Sequence, residues 1–167
     1  MTHRTSDERL ALFINRAIAV ELALTQILEA RTDDMHDQPA NDTLRRELER
    51  TKVRTHSLEQ ALSAIGGQVD ERQSLFAGIG ANLKAVVDTF RDDALKALLD
   101  FSDDFVTAQG LIASYMVIES AAGARENNDL VLIAQQHRKE VEETAAWFWL
   151  ELQHLAREGV DPDGVSA

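Results

Sequence analysis

The sequence predicts an all-α protein, an antiparallel four-helix bundle with an extra short helix between the second and third long ones. Three observations carry this. Apolar residues recur at i, i+3, i+4 and i+7 over four long stretches. Only 2 prolines and 8 glycines interrupt 167 residues, so the segments between breaks suit helices better than strands. Each stretch also opens or closes with a recognisable cap.

The first helix opens on a capping box, Thr5-x-x-Glu8, and runs to about Ala30. Its inward stripe is Leu10, Phe13, Ile14, Ala17, Glu21, Leu24 and Leu28. A polar loop, Asp33–Asn41, contains Pro39, and Asn41 or Asp42 caps the second helix. That helix turns Leu44, Leu48, Leu58, Leu62 and Ile65 inward, with Thr51 and Thr55 at mid-height, and Gly66-Gly67 stops it. A short helix is expected from Leu75 to Val87, with Phe76, Ile79, Leu83 and Val86 on one side. Thr89-x-x-Asp92 starts the third long helix, which runs to about Arg125 with Leu95, Leu99, Val106, Ala113, Met116 and Val117 inward. Asn127-Asn128-Asp129 caps the last helix. Its stripe is Leu130, Ile133, Ala134, His137, Val141, Thr144, Phe148, Leu152 and Leu155, and Gly159 and Pro162 end it. Residues 1–167 form a single domain, with a flexible tail from about residue 159.

Composition narrows the function. Apolar residues are 44% of the chain, and 29 acidic against 17 basic residues give a formal charge of -12. Such a surface repels phosphate backbones and anionic lipid, so neither nucleic acid nor membrane is an expected partner. Cysteine is absent, which removes disulfides, thiolate metal sites and thiol nucleophiles. The first residues lack an apolar signal core, and no run is read as membrane-spanning, so the expected location is the cytoplasm.

Glu21 is the misfit. It lies near the centre of an oily stripe, and a carboxylate removed from water must be protonated, paired or bound to a cation. The third helix brings Gln109 inward near mid-height and the fourth brings His137, with Glu140 on its flank. On the second helix Glu47 lies about 40–60° off the stripe at 100° per residue. Two readings follow. Glu21 pairs with His137, with Gln109 or a threonine satisfying leftover lone pairs, or Glu21, His137 and Glu140 are the remnant of a metal site. The first is preferred. A di-metal bundle draws a Glu from each of two helices and Glu-x-x-His from each of the others, and this chain has no Glu-x-x-His. His56-x-x-Glu59 is read as a surface contact. Trp147 and Trp149 flank the last stripe.

Ala19-Val20-Glu21, Leu48-Glu49-Arg50-Thr51 and Ile112-Ala113-Ser114-Tyr115 resemble the first-, second- and third-helix segments of the ferritin-like stress-protein family typified by YciF and YciE. The resemblance spans roughly Leu10 to Ala156. Where that family carries Glu-His-Tyr-Glu before Ile-Ala-Ser-Tyr, this chain has Ala108-Gln109-Gly110-Leu111. Arg50 replaces the second Glu of Leu-Glu-Glu-Thr, and Gln135-Gln136-His137 lacks the last helix's acidic cluster. Only Glu21 carries over as a ligand.

The resemblance therefore implies a stress-linked protein with a degenerate di-metal site. No cofactor is expected; iron or manganese is the alternative, in a metal-dependent oxidase or peroxide-removing protein. A helical interaction module is a third reading. A homodimer is expected, through the short helix with Phe76 and Ile79 or through Trp147 and Trp149. No small-molecule substrate is specified.

Overall fold

The computed structural model describes residues 5–34, 38–70 and 93–160. Four helices fill them: α1 (Ser6–Asp34), α2 (Gln38–Ala64), α3 (Asp93–Gly123) and α4 (Asn128–Val160). No strand occurs among the described residues. The expected short helix at Leu75–Val87 and the Thr89-x-x-Asp92 start lie outside them.

Helix directions follow from cross-helix contacts. Thr25 meets Thr51 and Arg54 meets Glu21, so α1 and α2 are antiparallel. Tyr115 stacks on His137 and Phe101 on Trp147, so α3 and α4 are antiparallel. Arg31, near the end of α1, bonds Asp100 and Asp104 near the start of α3. At the other end of the bundle Arg125 pairs with Asp7. Hence α1 and α3 are also antiparallel, and α2 and α3 run the same way. That order, up-down-down-up with one long crossover, is the topology of ferritin-like bundles.

Local signals act as their chemistry requires. Thr5 N donates to Glu8 Oε2 at 2.6 Å and Glu8 N to Thr5 Oγ1 at 3.2 Å, closing the capping box. At the end of α2, Gly67 N reaches Leu62 O and Gly66 N reaches Ser63 O, both at 2.9 Å, with Gly66 at φ 75°. This is a Schellman cap, whose left-handed position glycine fills without strain. The same pair of bonds ends α3, from Asn127 to Ala122 and from Glu126 to Gly123, but there Glu126 takes the left-handed position at φ 57°. Asn127 Oδ1 then accepts from Leu130 N at 3.1 Å and caps α4.

Two sequence expectations fail at element level. α2 begins at Gln38 rather than at Asn41 or Asp42; a proline is tolerated in a first helical turn, where its missing N–H has no partner to lose. Asn41 instead donates to Thr32 O at 2.9 Å, tying the hairpin together. On α3 the inward face is misplaced. Val106, Met116 and Val117 are 64%, 54% and 43% exposed, while Phe101, Asp104, Ala108, Leu111, Tyr115 and Ile118 are buried. This helix is apolar on most sides, so periodicity marks its core face weakly.

The core is continuous from Leu10, Ile14 and Leu28 through Leu44, Leu58 and Leu62 to Leu111, Ile118, Val141 and Phe148. Two stretches, Ser6–Thr32 and Ala97–Gly123, are long and apolar enough by composition to cross a bilayer. This corrects the reading that no run reaches that length. Each packs against neighbouring helices and buries an ion-paired carboxylate, Glu21 on one and Asp104 on the other.

Candidate functional site

At the centre of the bundle all four helices contribute to one polar cluster. α1 supplies Glu21, fully buried as its place in the stripe demands. Its partner is Arg54 of α2, also fully buried, and not His137. Arg54 Nε donates to Glu21 Oε1 at 2.7 Å and Nη2 to Oε2 at 3.2 Å, a bidentate fork. Nη2 also donates to Glu47 Oε1 at 2.8 Å, and Nη1 lies 3.6 Å from Glu140 Oε2 of α4. From α3, Tyr115 donates its phenol proton to Glu21 Oε1 at 2.5 Å.

The guanidinium thus faces carboxylates from three helices. Arginine suits this position because its planar fork matches a carboxylate and it stays charged in every protein environment. Burial pushes the Glu21 carboxyl above its usual range, while Arg54 and the Tyr115 hydrogen bond pull it back. Three donors on its two oxygens, one of them a permanently charged guanidinium, favour the carboxylate form. Burial works against the charge on Arg54 as well, but Glu21 and Glu47 outweigh it and the net shift is upward. Burial and the Glu21 charge drive the Tyr115 phenol well above its ordinary value, so it remains a donor.

His137 is buried but stands apart from this bonding. Its ring meets Tyr115 edge-on at 5.4 Å, and its Nδ1 has no hydrogen-bond partner among the described residues. Burial lowers its pKa to about 4 despite the pull of Glu140, so the ring is neutral at pH 7. Glu140 sits on the flank as expected, with a side chain 25% exposed. Gln109 does not join the cluster. It is exposed on α3 and lines an open, shallow cleft with Phe105, Ile112, Glu142, Ala145 and Trp149.

The remaining assignments divide. His56 meets Glu59 at 3.9 Å on the surface, as read. Trp147 is half-buried against Phe101, and Trp149 is 51% exposed beside Phe105. Arg54 was missed altogether, and Tyr115 was noticed only within a motif. The signal for Arg54 was the row Leu44, Glu47, Thr51, Arg54, Leu58, Leu62. Its steps of three and four place an arginine on the innermost line of α2.

α2 carries the polar pair Glu47-x-x-Arg50 and α4 carries His137-x-x-Glu140, with Arg50 level with Glu143 and Arg54 with Glu140. A di-metal bundle needs Glu-x-x-His on both. On α2 an arginine takes the imidazole position, and on α4 the two residue types are exchanged. Among the described residues no three of His, Cys, Asp or Glu are grouped so as to hold a metal ion. The donors that converge do so on a guanidinium, so the metal implied by the resemblance does not fit this site.

Helix order, crossover and buried cluster together define an all-α four-helix bundle with an internal ion-pair network. Residues 6–161 match the family described as "Domain of unknown function (DUF892)", and the chain belongs to that family. It is similar to the crystal structure of a protein (XCC3681) from Xanthomonas campestris pv. campestris. The TM-score is 0.76 at 15% identity, over 95% of this chain and 99% of that one. At that identity the likeness concerns the fold alone. No curated protein matches the chain.

Proposed function

We propose that this chain is a non-catalytic, ferritin-like protein of the stress-response type, in which Arg54 stands where a metal-binding bundle would hold its cations. The observation that carries this reading is the guanidinium seated against Glu21, Glu47 and Glu140. A buried cation already neutralises part of the carboxylate charge, and a dication beside it would meet direct repulsion. The stress-response assignment rests on the family resemblance of the three helix segments.

The test combines metal analysis with an Arg54 variant. Wild-type protein purified without chelators is expected to carry no stoichiometric iron or manganese, and its melting curve to ignore chelator. Arg54→Ala leaves three carboxylates without their cation, so added manganese or zinc is expected to raise its melting temperature while leaving wild type unmoved. A ligand stabilises only where it binds the native state. Stoichiometric metal in wild type, lost in Glu21→Gln, would establish the oxidase or peroxide-removing reading instead.

A further inference from the structure

Two helices from different hairpins each bring a buried, unpaired nitrogen to the centre of the bundle. On α2 it is Arg54 Nη1, and on α4 it is His137 Nδ1; neither has a hydrogen-bond partner among the described residues. Both side chains are more than nine-tenths buried. They belong to one neighbourhood. Tyr115 bonds the Glu21 carboxylate that Arg54 holds, and its ring meets the ring of His137 at 5.4 Å. Glu140, one turn along α4 from His137, lies 3.6 Å from Arg54 Nη1, and the charges of Glu140 and Arg54 both act on the imidazole.

The 3.6 Å separation is a second, independent observation. It is too long for a hydrogen bond, and a polar contact of that length is commonly completed by a molecule touching both groups. The guanidinium is not free to close it. Its Nε and Nη2 are held at 2.7 Å on Glu21 and 2.8 Å on Glu47, so a shift toward Glu140 would stretch both bonds.

Leaving a buried donor or acceptor unpaired is costly, and nearly all such groups in native proteins find protein or ordered solvent. The surroundings narrow the guest. An anion would meet Glu21, Glu47 and Glu140, three carboxylates against one guanidinium. A metal dication would meet that guanidinium. An apolar guest would leave both nitrogens unpaired. The guest is therefore small and uncharged, and it both donates and accepts, because Arg54 Nη1 can only donate and a carboxylate oxygen can only accept.

We infer that Arg54, His137 and Glu140 hold an ordered internal water, which accepts from Arg54 Nη1, donates to Glu140 Oε2 and bonds His137 Nδ1. Three bonds are about what a buried water makes in folded proteins. Water suits Nδ1 in either ring tautomer, since it can donate or accept there. It ties α2 to α4, and so one hairpin to the other, at a height where Arg54 and Glu140 do not bond directly. The Glu140 side chain is 25% exposed, so exchange with bulk solvent runs beside it. The inference rests on the proposed seat of Arg54 in the cation's place.

A crystal structure of the full chain at a resolution that shows ordered solvent tests it, together with oxygen-17 relaxation dispersion, which counts long-lived internal waters in solution. Solvent density is expected within about 2.7–3.2 Å of both Arg54 Nη1 and His137 Nδ1, without anomalous signal from a metal. His137→Leu, which removes the ring nitrogen, and Glu140→Ala, which opens the outer side, are each expected to lose one long-lived water. Gln109→Leu, on the exposed side of α3, is expected to keep the wild-type count. Circular dichroism checks that each variant keeps its helix content. Arg54 Nη1 bonded directly to Glu140 or His137 with no solvent between them, or equal counts in all four proteins, overturns the inference and leaves the proposed function standing. A metal identified at that place by anomalous scattering overturns both.

Discussion

Arg54 and Glu21 neutralise each other in a place bulk water does not reach, and their two deletions are not equivalent. Arg54→Met removes the cation and leaves Glu21 and Glu47 buried, so a loss of about 3–5 kcal/mol is expected. Glu21→Gln leaves Arg54 facing Glu47 and Glu140, keeps an acceptor for Tyr115, and is expected to cost much less. Urea unfolding of both variants compares them, and equal losses would contradict the geometry. His137 contributes a pH dependence of definite sign. Its folded pKa of about 4 lies below the ordinary value of 6.5, so the fold favours the neutral ring. That stability is complete above pH 6.5 and is lost as pH falls toward 4, by on the order of 2–3 kcal/mol. His137→Phe keeps a ring against Tyr115 and is expected to flatten the acid limb of the stability profile between those values. Asp104 has the opposite sign. Burial raises its carboxyl to about 6 from 3.8 in spite of Arg31, so its contribution is fullest at low pH and fades as pH rises through 6.

At the scale of the helices, legibility in the sequence followed the sharpness of the apolar pattern. On α4 a clean stripe placed Leu130, Ala134, His137, Val141 and Phe148 correctly, and all are buried. On α1 a single polar residue among apolar ones identified Glu21. α3 offered no such contrast, so Gln109 was turned inward and Tyr115 overlooked. Arg54 escaped for another reason: a long cation is expected at the surface, and only its carboxylate partners, remote in sequence, reverse that expectation. The caps give a prediction of their own. Glu126 holds a left-handed conformation that costs a side-chain-bearing residue energy, whereas Gly66 holds the equivalent position freely. Glu126→Gly is expected to raise stability by about 0.5–1 kcal/mol, and Gly66→Ala to lower it by about as much, in thermal melts. Gly67→Ala is expected to be harmful for a different reason, since its Cβ would fall 2.4 Å from Leu62 Cδ1.

Across the whole molecule, net charge makes a statement about salt. Two copies of charge -12 repel at long range. Raising ionic strength shortens the Debye length from about 30 Å at 0.01 M to about 8 Å at 0.15 M. Self-association is therefore expected to strengthen with added sodium chloride, and an interface held by salt bridges would weaken. Sedimentation at two salt concentrations distinguishes them.

The up-down-down-up order also bears on how the chain reaches its fold. Glu21 and Arg54 belong to one helical hairpin, Tyr115 and His137 to the other. Contacts within a hairpin close short loops and form early, whereas those between hairpins wait for the long crossover. The carboxylate of Glu21 is therefore expected to meet its guanidinium while both are still wet. When the second hairpin docks, what loses its hydration is a bonded pair of no net charge, not an isolated anion. The step that excludes bulk water from the bundle's centre is made easier by an earlier one that has already removed its worst electrostatic barrier.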